Sequence, residues 1–167
     1  MADSFAISVI VFVPMAIEAV RAASNERVQR ARGGIEPPDD VYPLMRIAYP
    51  AGFLLMIAEG AARNGAPMVV FVFGAVVFAL AKALKWWAIA TLGRAWTFRV
   101  VVVPGDPLAA RGPYRLMRHP NYAAVVGELV GTALMTGAVI AGVAGTTLFA
   151  LLLRKRIAVE ERMLHRL

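Results

Sequence analysis

The sequence predicts an all-α integral membrane protein of about five transmembrane helices. The last two form a short helical hairpin, a long cytoplasmic loop precedes them, and the C-terminal helix extends past the membrane surface. Three observations carry this expectation. Hydrophobic residues make up 59% of the 167 and the mean hydropathy is +0.64, well above the soluble norm, so lipid is the expected solvent for much of the surface. The apolar residues gather into long runs, Phe5–Val20, Leu44–Ala62, Ala66–Leu92 and Tyr122–Leu153. The lysines and arginines sit at the ends of those runs, mostly on alternate connections.

The length fits one domain, with helices 1 and 2 in residues 1–65 and a core in 66–167. The first run is interrupted by Pro14 and Glu18 and extends to Ala23; Asp3, with no basic residue before the run, argues against a signal peptide. Arg21, Arg27, Arg30 and Arg32, then Gly33-Gly34 and the cluster Glu36-Pro-Pro-Asp-Asp40, read as a polar loop. Leu44–Ala62 is the second span, with Arg46 and Tyr49 near its start and Glu59 near its end. After the short connection Arg63-Asn64-Gly65, Ala66–Leu92 is the longest run, and Lys82, Lys85, Trp86 and Trp87 resemble an interfacial ending.

From Gly93 to Asn121 the apolar pattern stops. Trp96–Val103 is β-branched and reads as an extended segment, and Pro104-Gly105-Asp106-Pro107 is a turn signal. Tyr122–Leu153 is too long for one span and too short for two of ~20 residues. It therefore predicts two short helices turning near Gly137 and Gly142, the second running through Arg154-Lys155-Arg156 to about Leu164. Gly127, Gly131, Ala138, Gly142 and Gly145 are expected to let these two helices approach closely.

Counting Lys and Arg by connection gives four in the 21–32 loop, five in 93–121 and five from Arg154 onward, against Arg63 alone on the other side. The positive-inside rule then puts the N-terminus outside, and the long loop and C-terminal tail in the cytoplasm. The net charge of +7 lies at run ends and not along one polar face, which points to the anionic inner leaflet as partner and away from nucleic acid. With no cysteine in the chain, disulfides, thiolate catalysis and cysteine-ligated metals are excluded. Two histidines, His119 and His165, do not suggest a metal site.

Arg111–Tyr122 is a polar island, Arg-Gly-Pro-Tyr-Arg-Leu-Met-Arg-His-Pro-Asn-Tyr, whose two prolines break the backbone into an ordered loop or short helix between turns. Residue by residue it reads as the ordinary charges and interfacial aromatics of a membrane loop. Arg156 and Glu160, four apart, read as a surface salt bridge worth about 0.3–0.5 kcal/mol. Together, G-x-Y-x-x-x-x-H-P-x-Y (Gly112–Tyr122) and the later Arg156, Glu160 and Glu161 resemble the isoprenylcysteine carboxyl methyltransferase family over roughly residues 85–165. The resemblance implies a small integral membrane O-methyltransferase using S-adenosylmethionine, with 66–167 as its methyltransferase core. It places Tyr114, His119, Pro120, Tyr122 and the stretch Asp106, Pro107, Leu108 and Ala109 at the cofactor. Glu160 would contact the cofactor and Arg156 the substrate; Glu161 matches a second acid.

The stretches Leu92–Leu108 and Gly112-Pro-Tyr-Arg are more similar to a bacterial branch acting on alkylpyrones and alkylresorcinols, which implies the bacterial inner membrane. A lipophilic substrate of that kind, like a prenylated cysteine carboxylate, would reach the site sideways from the bilayer. Three acids lie within apolar runs, where an ionisable group is a functional candidate by default. Glu18 and Glu59 are expected to reach the interface. Glu128 is a catalytic candidate, to orient or deprotonate a hydroxyl or to pair with an arginine, and Arg156 would assist a phenol as a cationic neighbour. The non-enzymatic alternative is a membrane scaffold or transporter subunit; no internal repeat supports the transporter version.

Overall fold

The structure is a computed structural model that describes residues 4–107 and 109–166, and among these every long element is helical. The helices are α1 (Ser4–Ala31), α2 (Tyr42–Ala62), α3 (Met68–Leu92), α4 (Pro120–Thr136) and α5 (Ile140–Arg166), with 3₁₀ turns at Gly93–Ala95 and Gly112–Arg115. Three of the helical stretches, Ser4–Ala31, Tyr42–Ala62 and Met68–Ala95, are long and apolar enough to cross a membrane. Their outward faces carry Ile17, Leu54, Leu55, Val69 and Phe73, all exposed, as a lipid-facing surface requires. The inward faces meet α4 and α5 around Phe53, Met56, Phe78, Leu129, Phe149 and Leu153.

Three expectations need correction. The first helix does not give way to a loop after Ala23; it continues to Ala31. The polar residues there keep the helical period: Ala22, Asn25 and Gln29 are buried in line with Ile7, Val11 and Glu18. Asn25 donates to the carbonyls of Gly93 and Trp96, and Gln29 to that of Arg94, so this extension holds the chain leaving α3. Second, Lys82 and Lys85 do not end α3 at an interface: Lys85 is 3% exposed and both face inward.

Third, the small residues serve a different helix pair. A Cβ on Gly131 would lie 2.7 Å from Phe78 N, one on Gly127 2.8 Å from Ala81 Cβ, and one on Gly74 2.7 Å from Leu134 Cβ and Met135 N. Gly127 and Gly131 therefore seat α4 on α3. Of the predicted set, Gly142 meets Ala133 of α4, while Gly145 faces Met56 of α2. Gly137, at φ 70°, ends α4 in the left-handed conformation that glycine adopts without steric cost. Glu59, in the last turn of α2, accepts hydrogen bonds from the amides of Val139, Ile140 and Ala141 and so caps the start of α5.

Candidate active site

The segment between α3 and α4 folds back across the polar ends of the helices. Trp96 is buried and its indole donates to Asn121 Oδ1 at 3.3 Å, fixing the start of the segment to the start of α4. Val102 forms a short antiparallel bridge with Ile35, and Val100 N donates to Asp40 Oδ2 at 2.9 Å. Gly112, at φ 57°, opens the island where any Cβ would run into Thr91 Oγ1. The island is thus pressed against the end of α3, and Pro120, buried as the first residue of α4, sets the direction of His119 and Tyr122.

Under this segment lies a cavity of about 530 Å³. Its wall contains Asp106, Pro107, Ala109, Tyr114, His119, Tyr122, Arg156 and Glu160, so residues from the long loop, α4 and α5 converge on one space. Leu108, expected at the cofactor, lies outside the described residues. Pro120, expected at the cofactor, and Glu128 do not line the cavity; both are buried in α4. At the opposite, apolar end stand Met15, Pro50, Val125, Phe149 and Leu153, with Glu18, Tyr49 and Lys85 among them.

Arg156 is no surface ion-pair partner of Glu160, because its side chain is only 5% exposed and faces inward. Its Nη1 pairs with Asp40 Oδ1 at 2.5 Å, Nη2 donates to the Phe98 carbonyl at 2.6 Å, and Nε donates to Tyr122 Oη at 3.2 Å. Three of the five guanidinium N–H groups are thereby used. The Tyr122 hydroxyl in turn donates to Glu160 Oε2 at 2.5 Å, so Arg156 and Glu160 are joined through Tyr122. His119 stacks on Tyr122 with ring centroids 5.5 Å apart, and its Nε2 lies 3.3 Å from Glu161 Oε1. Burial first, and the Glu160 carboxylate second, push the Tyr114 phenol well above its ordinary range, so it remains a neutral donor at working pH.

One residue and one grouping escaped the sequence reading, and Glu18, expected to reach the interface, is buried at 1% exposure. Asp40 stood in a turn cluster and carried no signal beyond that, yet it is the buried counter-ion of Arg156. Glu18, Lys82, Lys85 and Glu128 form a buried ionic cluster with contacts of 2.7–3.3 Å. Its signal was present as two lysines three apart in an apolar run, balanced by two acids in other runs.

S-adenosylmethionine carries a sulfonium, an ammonium, a carboxylate and an adenine ring, and the wall offers a partner for each. Glu160 and Glu161 suit the cations, Arg118 the carboxylate, and Tyr114 and His119 present ring faces. The donor set fits the group.

The chain matches the model of the isoprenylcysteine carboxyl methyltransferase (ICMT) family over residues 72–166. It is 33% identical over 155 residues to the uncharacterized protein YpbQ of Bacillus subtilis, covering 93% of this chain and 92% of that one. An uncharacterized protein of Haemophilus influenzae is 26% identical over 138 residues, 82% of this chain and 80% of its own length. A probable protein-S-isoprenylcysteine O-methyltransferase of rice (Oryza sativa subsp. indica) is 33% identical over 90 residues, 53% of this chain and 47% of its own length. No solved structure matches. The helices built for a membrane and the motif residues gathered on one cavity agree with the match over the C-terminal part of the chain: the protein belongs to the isoprenylcysteine carboxyl methyltransferase family of integral membrane methyltransferases.

Proposed function

We propose that the protein is an S-adenosylmethionine-dependent O-methyltransferase acting on a lipophilic acceptor. The observation that carries this reading is the convergence of Tyr114, His119, Tyr122, Arg156 and Glu160 on one cavity whose other end is apolar. When bound, S-adenosylmethionine supplies an electrophilic methyl group on sulfur. The chain's part is to align the acceptor oxygen with that methyl group and to exclude water. Tyr122 locks Glu160 and Arg156 in register, the Asp40 ion pair keeps Arg156 from swinging away, and the folded-back 96–107 segment shields the polar end.

The acceptor enters from the bilayer between α1 and α2, where Ala19 is both exposed and part of the cavity wall. In the membrane the chain makes five crossings, with the N-terminus outside and the cofactor end facing the cytoplasm of a bacterial inner membrane, which is where S-adenosylmethionine is made and where the basic connections lie. Two acceptor classes fit so far. One is the enol or phenol oxygen of an alkylpyrone or alkylresorcinol; the other is the carboxylate of a prenylated cysteine, favoured by the name of the rice relative.

Calorimetry with S-adenosylmethionine on the detergent-purified protein tests the reading. Micromolar binding that His119→Ala and Glu160→Ala each weaken at least about tenfold, ~1.4 kcal/mol, is the expected result. No binding by the folded wild type would move a scaffold or transporter role to the front.

A further inference from the structure

The buried cluster at the apolar end of the cavity has a composition that a structural clamp does not need. Glu18 from α1, Lys82 and Lys85 from α3 and Glu128 from α4 lie within 2.7–3.3 Å of one another, and Glu18, Lys85 and Glu128 are each at most 3% exposed. One ion pair would tie two helices, and buried pairs are often no more stable than apolar packing. A fifth group, Tyr49 of α2, donates its hydroxyl to Glu128 Oε2 at 2.5 Å. Its ring is held by Phe53 and Phe149, with centroids 4.8 and 4.9 Å away. Tyr49, Lys85 and Glu18 stand on the cavity wall, whereas Glu128 does not line it and contacts two of them, Tyr49 and Lys85.

Two carboxylates and two ammoniums sum to zero. A proton-accepting wall is of use only to an acceptor that has a proton to lose, whereas a carboxylate acceptor arrives already ionised and needs none. A hydroxyl acceptor arrives neutral, and handing its proton to the cluster leaves the total unchanged. Resting on the methyltransferase reading above, we propose that Tyr49 and Lys85, backed by Glu128, form the proton-accepting wall of the acceptor site, and that the acceptor is an enol or phenol on a lipophilic tail.

The step balances. Tyr49 Oη passes its proton to Glu128 Oε2 and takes the proton of the acceptor hydroxyl, and the acceptor oxygen keeps the electron pair of its broken O–H bond. That pair forms the new bond to the methyl carbon, the electrons of the old carbon–sulfur bond stay on sulfur, and the proton remains on Glu128 until release. Lys85 Nζ stabilises the anionic acceptor oxygen in between.

The test uses the full-length protein in detergent with a long-chain alkylresorcinol. Without S-adenosylmethionine, ultraviolet difference titration reads the phenolate directly. The expected result is an apparent pKa at least about one unit below that in protein-free micelles, with the shift lost in Lys85→Met. Tyr49→Phe removes one oxygen, keeps the ring packing and leaves every charge in place, so folding is preserved. Its kcat is expected to fall about 100-fold with KM unchanged, and to recover at a pH where the acceptor is already ionised. An unshifted titration, full activity of Tyr49→Phe, or methylation of a prenylcysteine carboxylate in preference to the phenol overturns the proposal. Calorimetry on the same samples separates the failures: if S-adenosylmethionine binds while the titration is unshifted, only the proton-accepting wall falls. If it does not bind, both readings fall.

Discussion

Asp40 receives three bonds, from the Arg156 guanidinium, the Val100 amide and the Tyr42 amide, and its removal would leave Arg156 buried without a counter-ion. Asp40→Ala is therefore expected to cost about 3–5 kcal/mol, read as a lowered melting temperature in detergent. Tyr122→Phe is a milder change. It cuts the link between Arg156 and Glu160 without altering charge, and S-adenosylmethionine affinity should drop about tenfold, ~1.4 kcal/mol, with melting nearly unchanged. These side chains differ in how far the sequence reveals them. His119, Tyr122, Arg156 and Glu160 stand in short patterns that survive inspection one segment at a time. Asp40 and Arg156 are 116 residues apart, and an aspartate after two prolines satisfies a turn so well that nothing local asks for a second role. Burial is the missing quantity, because spacing alone makes Arg156 and Glu160 a weak surface pair.

At the level of helices, the apolar runs located α2 and α3 to within two residues, since hydropathy registers the lipid-facing surface directly. The same measure stopped α1 too early. It scores Asn25 and Gln29 as polar, whereas the helix uses them to hold the carbonyls of the Gly93–Trp96 turn. It also could not tell which neighbour a small residue faces. The assignment of Gly131 to the α3 contact has a direct test. Gly131→Ala sets a Cβ 2.7 Å from Phe78 N, and the overpacking should cost about 1–3 kcal/mol. Gly145→Ala meets Met56 Cε at 3.4 Å and Gly52 Cα at 3.9 Å, and should be neutral or stabilising by up to about 1 kcal/mol because alanine is the better helix former. Comparing the two melting temperatures checks both.

For the molecule as a whole, the absence of cysteine makes orientation measurable with single introduced thiols. In intact cells a membrane-impermeant maleimide should label Asn64→Cys, between α2 and α3, and leave Arg111→Cys unlabelled until the membrane is opened. The reverse pattern would put the cofactor end on the wrong side. The whole-molecule arrangement also bears on how the protein is made. Glu18 precedes its partner Lys82 by 64 residues, which at ~5–20 residues per second is a delay of roughly 3–13 s. In the five-crossing arrangement proposed above, α1 would carry its carboxylate into the bilayer during that interval with no ammonium to meet it, at a cost of about 2.5–3.5 kcal/mol if it sits at the bilayer centre. The first helix is thus made before the chain that neutralises it, and its buried carboxylate meets its counter-ions only once α3 has been made.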